Sequence, residues 1–132
     1  VQSRQNTIEG FTGATLRQDV IEKFKKDKDS NKILIAVNMG RGIDLPELDI
    51  TNNIITFVKR QNPTDHLVRA KWKYLGKEWE YQDAANDIMQ QYGRVNRNSE
   101  KVTNTVITEP EWEKFFKRNQ KYFKQWFIEA IA

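Results

Sequence analysis

Along the chain, hydrophobic positions switch repeatedly between the spacing of a helix and that of a strand. Leu16, Val20, Ile21 and Phe24 fall on one helical face. Thr15, with Gln18 three residues later, has capping-box spacing, so a helix is predicted over 16–28, its end marked by the polar stretch 25–30. The run Ile33-Leu34-Ile35-Ala36-Val37 has no polar alternation, the pattern of a parallel strand buried on both faces. Gly40, Gly42 and Pro46 interrupt regular structure, and a second strand is predicted over 54–58. Helical spacing returns at Leu67, Ala70, Tyr74 and Leu75, predicting a helix over 66–75, and again at Ala84, Ala85, Ile88, Met89 and Tyr92, predicting one over 83–92. Residues 102–108 alternate like a strand. Thr108, Pro110 and Glu111 then open a last helix with Trp112, Phe115, Phe116, Phe123 and Trp126 along one side. This alternation predicts an α/β fold, a mostly parallel sheet with helices on both faces, in a single domain over 1–132. Ligands of such sheets sit beyond the carboxyl ends of the strands.

Composition narrows the chemistry. The 132 residues include no cysteine and a single histidine, His66. Disulfides, thiolate zinc sites, iron–sulfur clusters and thiol nucleophiles are therefore excluded from this chain, and a histidine-based metal site is disfavoured. The longest apolar run is far short of the roughly 20 residues that span a bilayer, so a domain of the cell interior is expected, in the cytoplasm, nucleoid or nucleus, with no membrane partner. Net charge is +4. Residues 59–79 alone carry that net charge: Lys59, Arg60, Arg69, Lys71, Lys73 and Lys77 against Asp65 and Glu78. The chain begins with Val and soon enters a structured pattern, so it is expected to be a piece of a longer protein.

Two motifs carry specific chemistry. Gln90-Gln91-Tyr92-Gly93-Arg94-Val95-Asn96-Arg97 has the form Q-x-x-G-R-x-x-R at a helix end. Gly93 lets the backbone turn or be approached closely, while Arg94 and Arg97, three apart, are spaced to meet one anion. Guanidinium suits phosphate because its planar fork binds oxygens in pairs and stays charged at every working pH. Gln90, one turn earlier, is placed to bond the same ligand. The second motif follows the first strand: Gly40-Arg41-Gly42-Ile43-Asp44-Leu45-Pro46, where paired glycines expose backbone amides and Asp44 offers an orienting carboxylate.

In combination these residues resemble the second, RecA-like motor domain of superfamily 2 helicases. Gly13, Arg17 and Phe24 resemble the helix that precedes the first strand in that family, residues 40–46 resemble motif V, and residues 90–97 match motif VI. Forty-nine residues separate Asp44 from Gly93, a longer connection than in DEAD-box proteins and more similar to the XPD/DinG branch of DNA helicases. The resemblance implies a RecA-like three-layer domain that shares ATP and magnesium with a first motor domain. It implies that Arg94 and Arg97 act as arginine fingers, that Gln90, Gly93, Gly42 and Asp44 belong to the nucleotide site, and that Arg41 touches nucleic acid. The implied partners are single-stranded or forked DNA, with RNA an alternative, and the upstream motor domain. No G-x-x-x-x-G-K-[ST] phosphate loop and no D-E-x-[DH] box occurs in the chain, so the isolated domain is expected to be inactive and to hold no nucleotide or metal alone. The strand and helix expected before Gly13 are not evident, so the domain reads as truncated at its start.

Plainer interpretations stand beside these. Arg94 and Arg97 at a helix end also suit pairing with Glu100 or helix carbonyls, and residues 40–46 also suit an ordinary turn. In the basic segment, Arg69, Lys71 and Lys73 suit phosphate contacts with Trp72 and Trp79 stacking on bases, or solvated cations above packed tryptophans. The C-terminal stripe of seven aromatics, 112–127, is expected to pack as core. The leading expectation is the C-terminal half of an ATP-dependent DNA helicase. Its alternatives are an RNA or generic superfamily 2 translocase, and a non-catalytic basic nucleic-acid-binding module of the same fold.

Overall fold

The computed structural model describes residues 7–9, 14–26, 32–35, 50–96 and 103–131. The chain forms two compact units, residues 1–39 and 40–132. In the first, β1 (Thr7–Glu9) pairs in parallel with β2 (Lys32–Leu34), with Ile8 opposite Ile33, and α1 (Ala14–Lys26) joins them. Val20, Ile21 and Phe24 are half-buried along one side of α1, as their spacing predicts. Lys23, Lys25 and Lys26 close its last turn, where cations complement the helix dipole. Thr15 is not the helix cap, because α1 already includes Ala14. Nor is the aliphatic run covered on both faces, since Ile33 and Ile35 are exposed.

The second unit is built on a parallel pair, β3 (Asn52–Ile55) and β4 (Asn104–Ile107), with Ile54 opposite Val106 and Ile55 opposite Ile107. Asn104 N–H donates to Thr51 O and Thr108 N–H to Ile55 O, both at 2.9 Å, extending the ladder at each end. Strand alternation sends Ile55 inward to 2 % exposure, whereas Ile54 and Val106 on the opposite face are exposed. Both units are thus α/β with parallel pairing, in keeping with a RecA-like domain, although each sheet described is only two strands wide.

Between β3 and β4 run α2 (His66–Leu75) and α3 (Glu78–Val95). Asp65 caps α2, its Oδ1 accepting from Leu67 N–H at 2.8 Å and Val68 N–H at 3.4 Å. Gly76 ends α2 at φ 73°, a left-handed conformation that favours glycine. α3 starts five residues before the predicted 83, since Glu78 and Glu80 favour a helix N-terminus. The aliphatic periodicity that marks its core face begins only at Ala84.

The last predicted helix is two. α4 (Trp112–Asn119) passes through a 3-10 turn at Gln120–Tyr122, and an extended Phe123 leads to α5 (Gln125–Ile131). At the break, Asn119 Nδ2 donates to Phe115 O at 2.9 Å, a side-chain bond back across the last turn of α4. The expected capping box is absent. Thr108 finishes the β ladder, and the N-cap of α4 is Glu111 with no side-chain cap bond. The break lets Phe123 and Phe127 stack at 5.3 Å, beneath Ala85, Ile88 and Met89 of α3 in the same core. The aromatic stripe packs in or against the core as expected, except Trp126, which is 45 % exposed. At the exposed edge, Lys121 Nζ sits 3.1 Å from Glu78 Oε1; its ammonium holds the Glu78 carboxyl below the ordinary range, and Glu78 holds the Lys121 ammonium above it. No described helix is long and apolar enough to cross a membrane.

Candidate functional site

The Q-x-x-G-R residues occupy the last turns of α3. Ala84, Ala85, Ile88 and Met89 bury one side of that helix, so Gln90 and Arg94, one turn apart, share the opposite flank. Gln90 is exposed and Arg94 half-buried. Tyr92 faces the core instead, edge-on to Phe127 at 5.4 Å and tilted against Trp126 at 5.9 Å. Gly93 makes no turn: the helix continues through it to Val95. A Cβ built on Gly93 meets nothing within 4 Å, so no neighbour in the described chain requires glycine there. The position leaves an open, unobstructed strip of backbone beside Arg94.

The end of α3 is pinned in place. Asn96 Nδ2 donates to Tyr92 O at 3.1 Å and to Thr105 Oγ1 at 3.4 Å, and Thr103 Oγ1 donates to Ile50 O at 3.1 Å and Val95 O at 3.4 Å. Ile50 precedes β3, and Thr103 and Thr105 lie at the start of β4, so these bonds tie the end of α3 to the starts of both strands. Arg94 therefore stands at the amino ends of the strands, not beyond the carboxyl ends where the parallel-sheet rule places ligands. The reason is topological, because a crossover helix runs back along its sheet and ends where the next strand begins. Arg97 lies outside the described residues, as do Gly13, Arg41, Gly42, Asp44 and the rest of 40–46. Arg17 lies in α1.

At the carboxyl ends, carboxylates organise the loop after β3. Glu109 Oε2 accepts from Val58 N–H at 3.0 Å, and Glu80 accepts from Gln61 N–H at 3.1 Å and Trp72 Nε1–H at 3.2 Å. Asp83 accepts from Gln61 Nε2 at 2.8 Å and pairs with Lys59 at 3.7 Å. Sequence reasoning missed these acids, because each is remote in sequence from the loop it holds. Beyond β4 lies an open groove of about 630 Å³ bordered by Ile107, Pro110, Trp112, Lys114 and Lys117. Glu111 and Glu113 pair with those lysines at 3.2 and 3.9 Å. Among the described residues no group of three or more His, Asp or Glu side chains is placed to hold a metal ion.

The basic segment folds as α2 and its flanks, with its expected face inverted. Leu67, Tyr74 and Leu75 are 74, 79 and 63 % exposed, while Val68 is buried and Trp72 half-buried. Helical spacing was present on two faces, and the one that packs inward carries Val68 and Trp72, whose Nε1–H bonds Glu80. Arg69, Lys71 and Lys73 are all exposed on α2, and Arg69 Nε donates to Pro63 O at 2.9 Å. Lys71 lies over the Trp79 ring at 4.7 Å and Lys77 over the Trp72 ring at 5.4 Å.

A helix end with Gln90, Gly93 and Arg94 in register, following two parallel strands with the expected order of elements, agrees with comparison to known families. The profile of the helicase C-terminal domain family matches residues 2–130. The chain belongs to that family. The family is consistent with the XPD/DinG resemblance drawn from the long insert. Searches of curated proteins and of solved structures find no match. As a helicase C-terminal domain, the chain is part of an enzyme that acts on nucleic acid with a second motor domain and uses ATP with magnesium. Gln90 is exposed, and a Cβ at Gly93 would meet open space.

Proposed function

We propose that this domain is the C-terminal half of an ATP-dependent DNA helicase or translocase, working inside the cell. It supplies arginine fingers to ATP held by a first motor domain. The observation that carries this is the packed, pinned end of α3, which presents Gln90, Gly93 and Arg94 together on a surface belonging to a helicase family. ATP with magnesium supplies the phosphoryl group whose transfer to water drives movement. Arg94, with Arg97, stabilises the charge that builds on the transferring phosphoryl oxygens, and Gln90 orients the ligand or the arginine. Gly93 allows the nucleotide or the facing domain close to the backbone. Gly42 and Asp44 couple nucleotide state to the grip on the strand. Arg41, Arg69, Lys71 and Lys73 neutralise backbone phosphates.

The phosphate loop and magnesium carboxylate belong to the first motor domain, so hydrolysis needs both halves. In the whole enzyme, Arg94→Ala and Arg97→Ala are each expected to lower ATP turnover by about 10³ while nucleotide binding, followed by fluorescence of a labelled analogue, changes far less. Near-normal turnover in both variants would falsify the finger assignment.

A further inference from the structure

We propose that the outer face of α2 is a stacking ledge for single-stranded nucleic acid, with Tyr74 as its platform. The inference rests on the nucleic-acid role proposed for Arg69, Lys71 and Lys73 and adds which strand form they hold and which ring reads it. Leu67, Ala70, Lys71 and Tyr74 lie at i, i+3, i+4 and i+7 along α2, hence on one stripe, and all four are exposed. This apolar stripe, left in water on a ten-residue helix, is a surface open to another molecule.

Charge selects the occupant. α2 contains no acidic residue, and its N-cap Asp65 is engaged with backbone N–H groups. Among the described residues Arg69, Lys71, Lys73 and Lys77 form no ion pair with a carboxylate. Two of the lysines lie over tryptophan rings and Lys73 lies 5.8 Å from the Tyr74 ring centroid, so the cations are held near their places before any phosphate arrives. A polyanion with flat apolar faces satisfies both features of the ledge, the cations at its edge and the apolar strip along its middle.

Strand form follows from the ring. Unpaired bases offer faces to an exposed aromatic, whereas those of a duplex are stacked on one another. Exposure separates the rings: Trp72 and Trp79 are half-buried, Trp72 also bonding Glu80, whereas Tyr74 is 79 % exposed, with Lys73 over it at 5.8 Å. Leu67 to Tyr74 spans roughly 10 Å of helix, room for about three stacked nucleotides at a rise of about 3.4 Å.

The test uses the full chain and fluorescence anisotropy with fluorescein-labelled oligo-dT and a DNA duplex of equal length. Tyr74→Ser is expected to weaken oligo-dT binding about tenfold or more, to change duplex binding by less than about twofold, and to be rescued by Tyr74→Phe. A Lys71→Gln/Lys73→Gln double variant is expected to lower the slope of log affinity against log salt by about 1 to 2. If Tyr74→Ser binds oligo-dT normally while the lysine variant behaves as expected, the ledge is wrong and the phosphate contacts stand. If the lysine variant also binds normally, the nucleic-acid role of α2 falls with it. Sedimentation adds a third arm: a dimer that Tyr74→Ser converts to monomer, with oligo-dT binding unchanged, would assign the face to a second copy and overturn the proposal.

Discussion

At Gly93 the proposed function and stability can be separated by one substitution. The backbone there is helical, so glycine costs helix stability relative to alanine, and a Cβ meets open space rather than a neighbour. A structural account gives no reason for the glycine, whereas an approaching nucleotide or facing domain does. Gly93→Ala is therefore expected to stabilise the fold by about 0.5 kcal/mol, the position being close to a helix end, while lowering turnover of the whole enzyme. Chemical denaturation and an ATPase assay on the same variant decide it. Destabilisation would mean that the chain itself needs the glycine, and unimpaired turnover would mean that nothing approaches the backbone there.

At the scale of elements, α2 is placed by local chemistry at both ends. Asp65 satisfies two N–H groups at its start, and Gly76 turns the chain at its finish before α3 begins. Asp65→Ala should cost about 1 kcal/mol of stability, measured by denaturation, because the side-chain acceptor is lost while Val68 keeps its buried place. A change below about 0.3 kcal/mol would show that tertiary packing alone holds the helix. The bounds of α2 were legible from apolar spacing alone, and the core face of α3 was legible because Ala84, Ala85, Ile88 and Met89 are uniformly small or aliphatic. The outward turn of Leu67 and Tyr74 was not, since two faces of α2 carry apolar side chains and the inward one is marked only by the buried Val68 and the bond of Trp72 to Glu80. The break before α5 was hidden for a similar reason: aromatics at 112, 115, 116, 123 and 126 suit one unbroken helix, and Asn119 bonding back to Phe115 is visible only in three dimensions. Of the candidate site, Gln90, Gly93 and Arg94 were proposed from a motif, while Glu80, Asp83 and Glu109 have no local signature for the loop they hold.

Across the 40–132 unit, α3 links the two proposed activities. Its 18 residues extend about 27 Å, from the turns that bond and stack with α2 to the turn that carries Arg94. The middle of that helix is packed against the aromatic core by Ala85 and Ile88, both at 0 % exposure, so it behaves as a rod rather than a spring. The proposed coupling of nucleotide to α2 then runs through movement of this unit as one body, not through bending of α3. Two perturbations at the ends of a rod should add. In the whole enzyme, Arg94→Ala is expected to abolish the change in oligo-dT affinity caused by a non-hydrolysable ATP analogue. Tyr74→Ser is expected to lower that affinity by the same factor with and without the analogue. The double variant should then equal the sum of the singles within about 0.5 kcal/mol, measured by anisotropy in both nucleotide states. A coupling above about 1 kcal/mol would show that α3 deforms between its ends, and the signal would have to be traced through the Trp72–Glu80 bond and the aromatic core rather than through rigid movement.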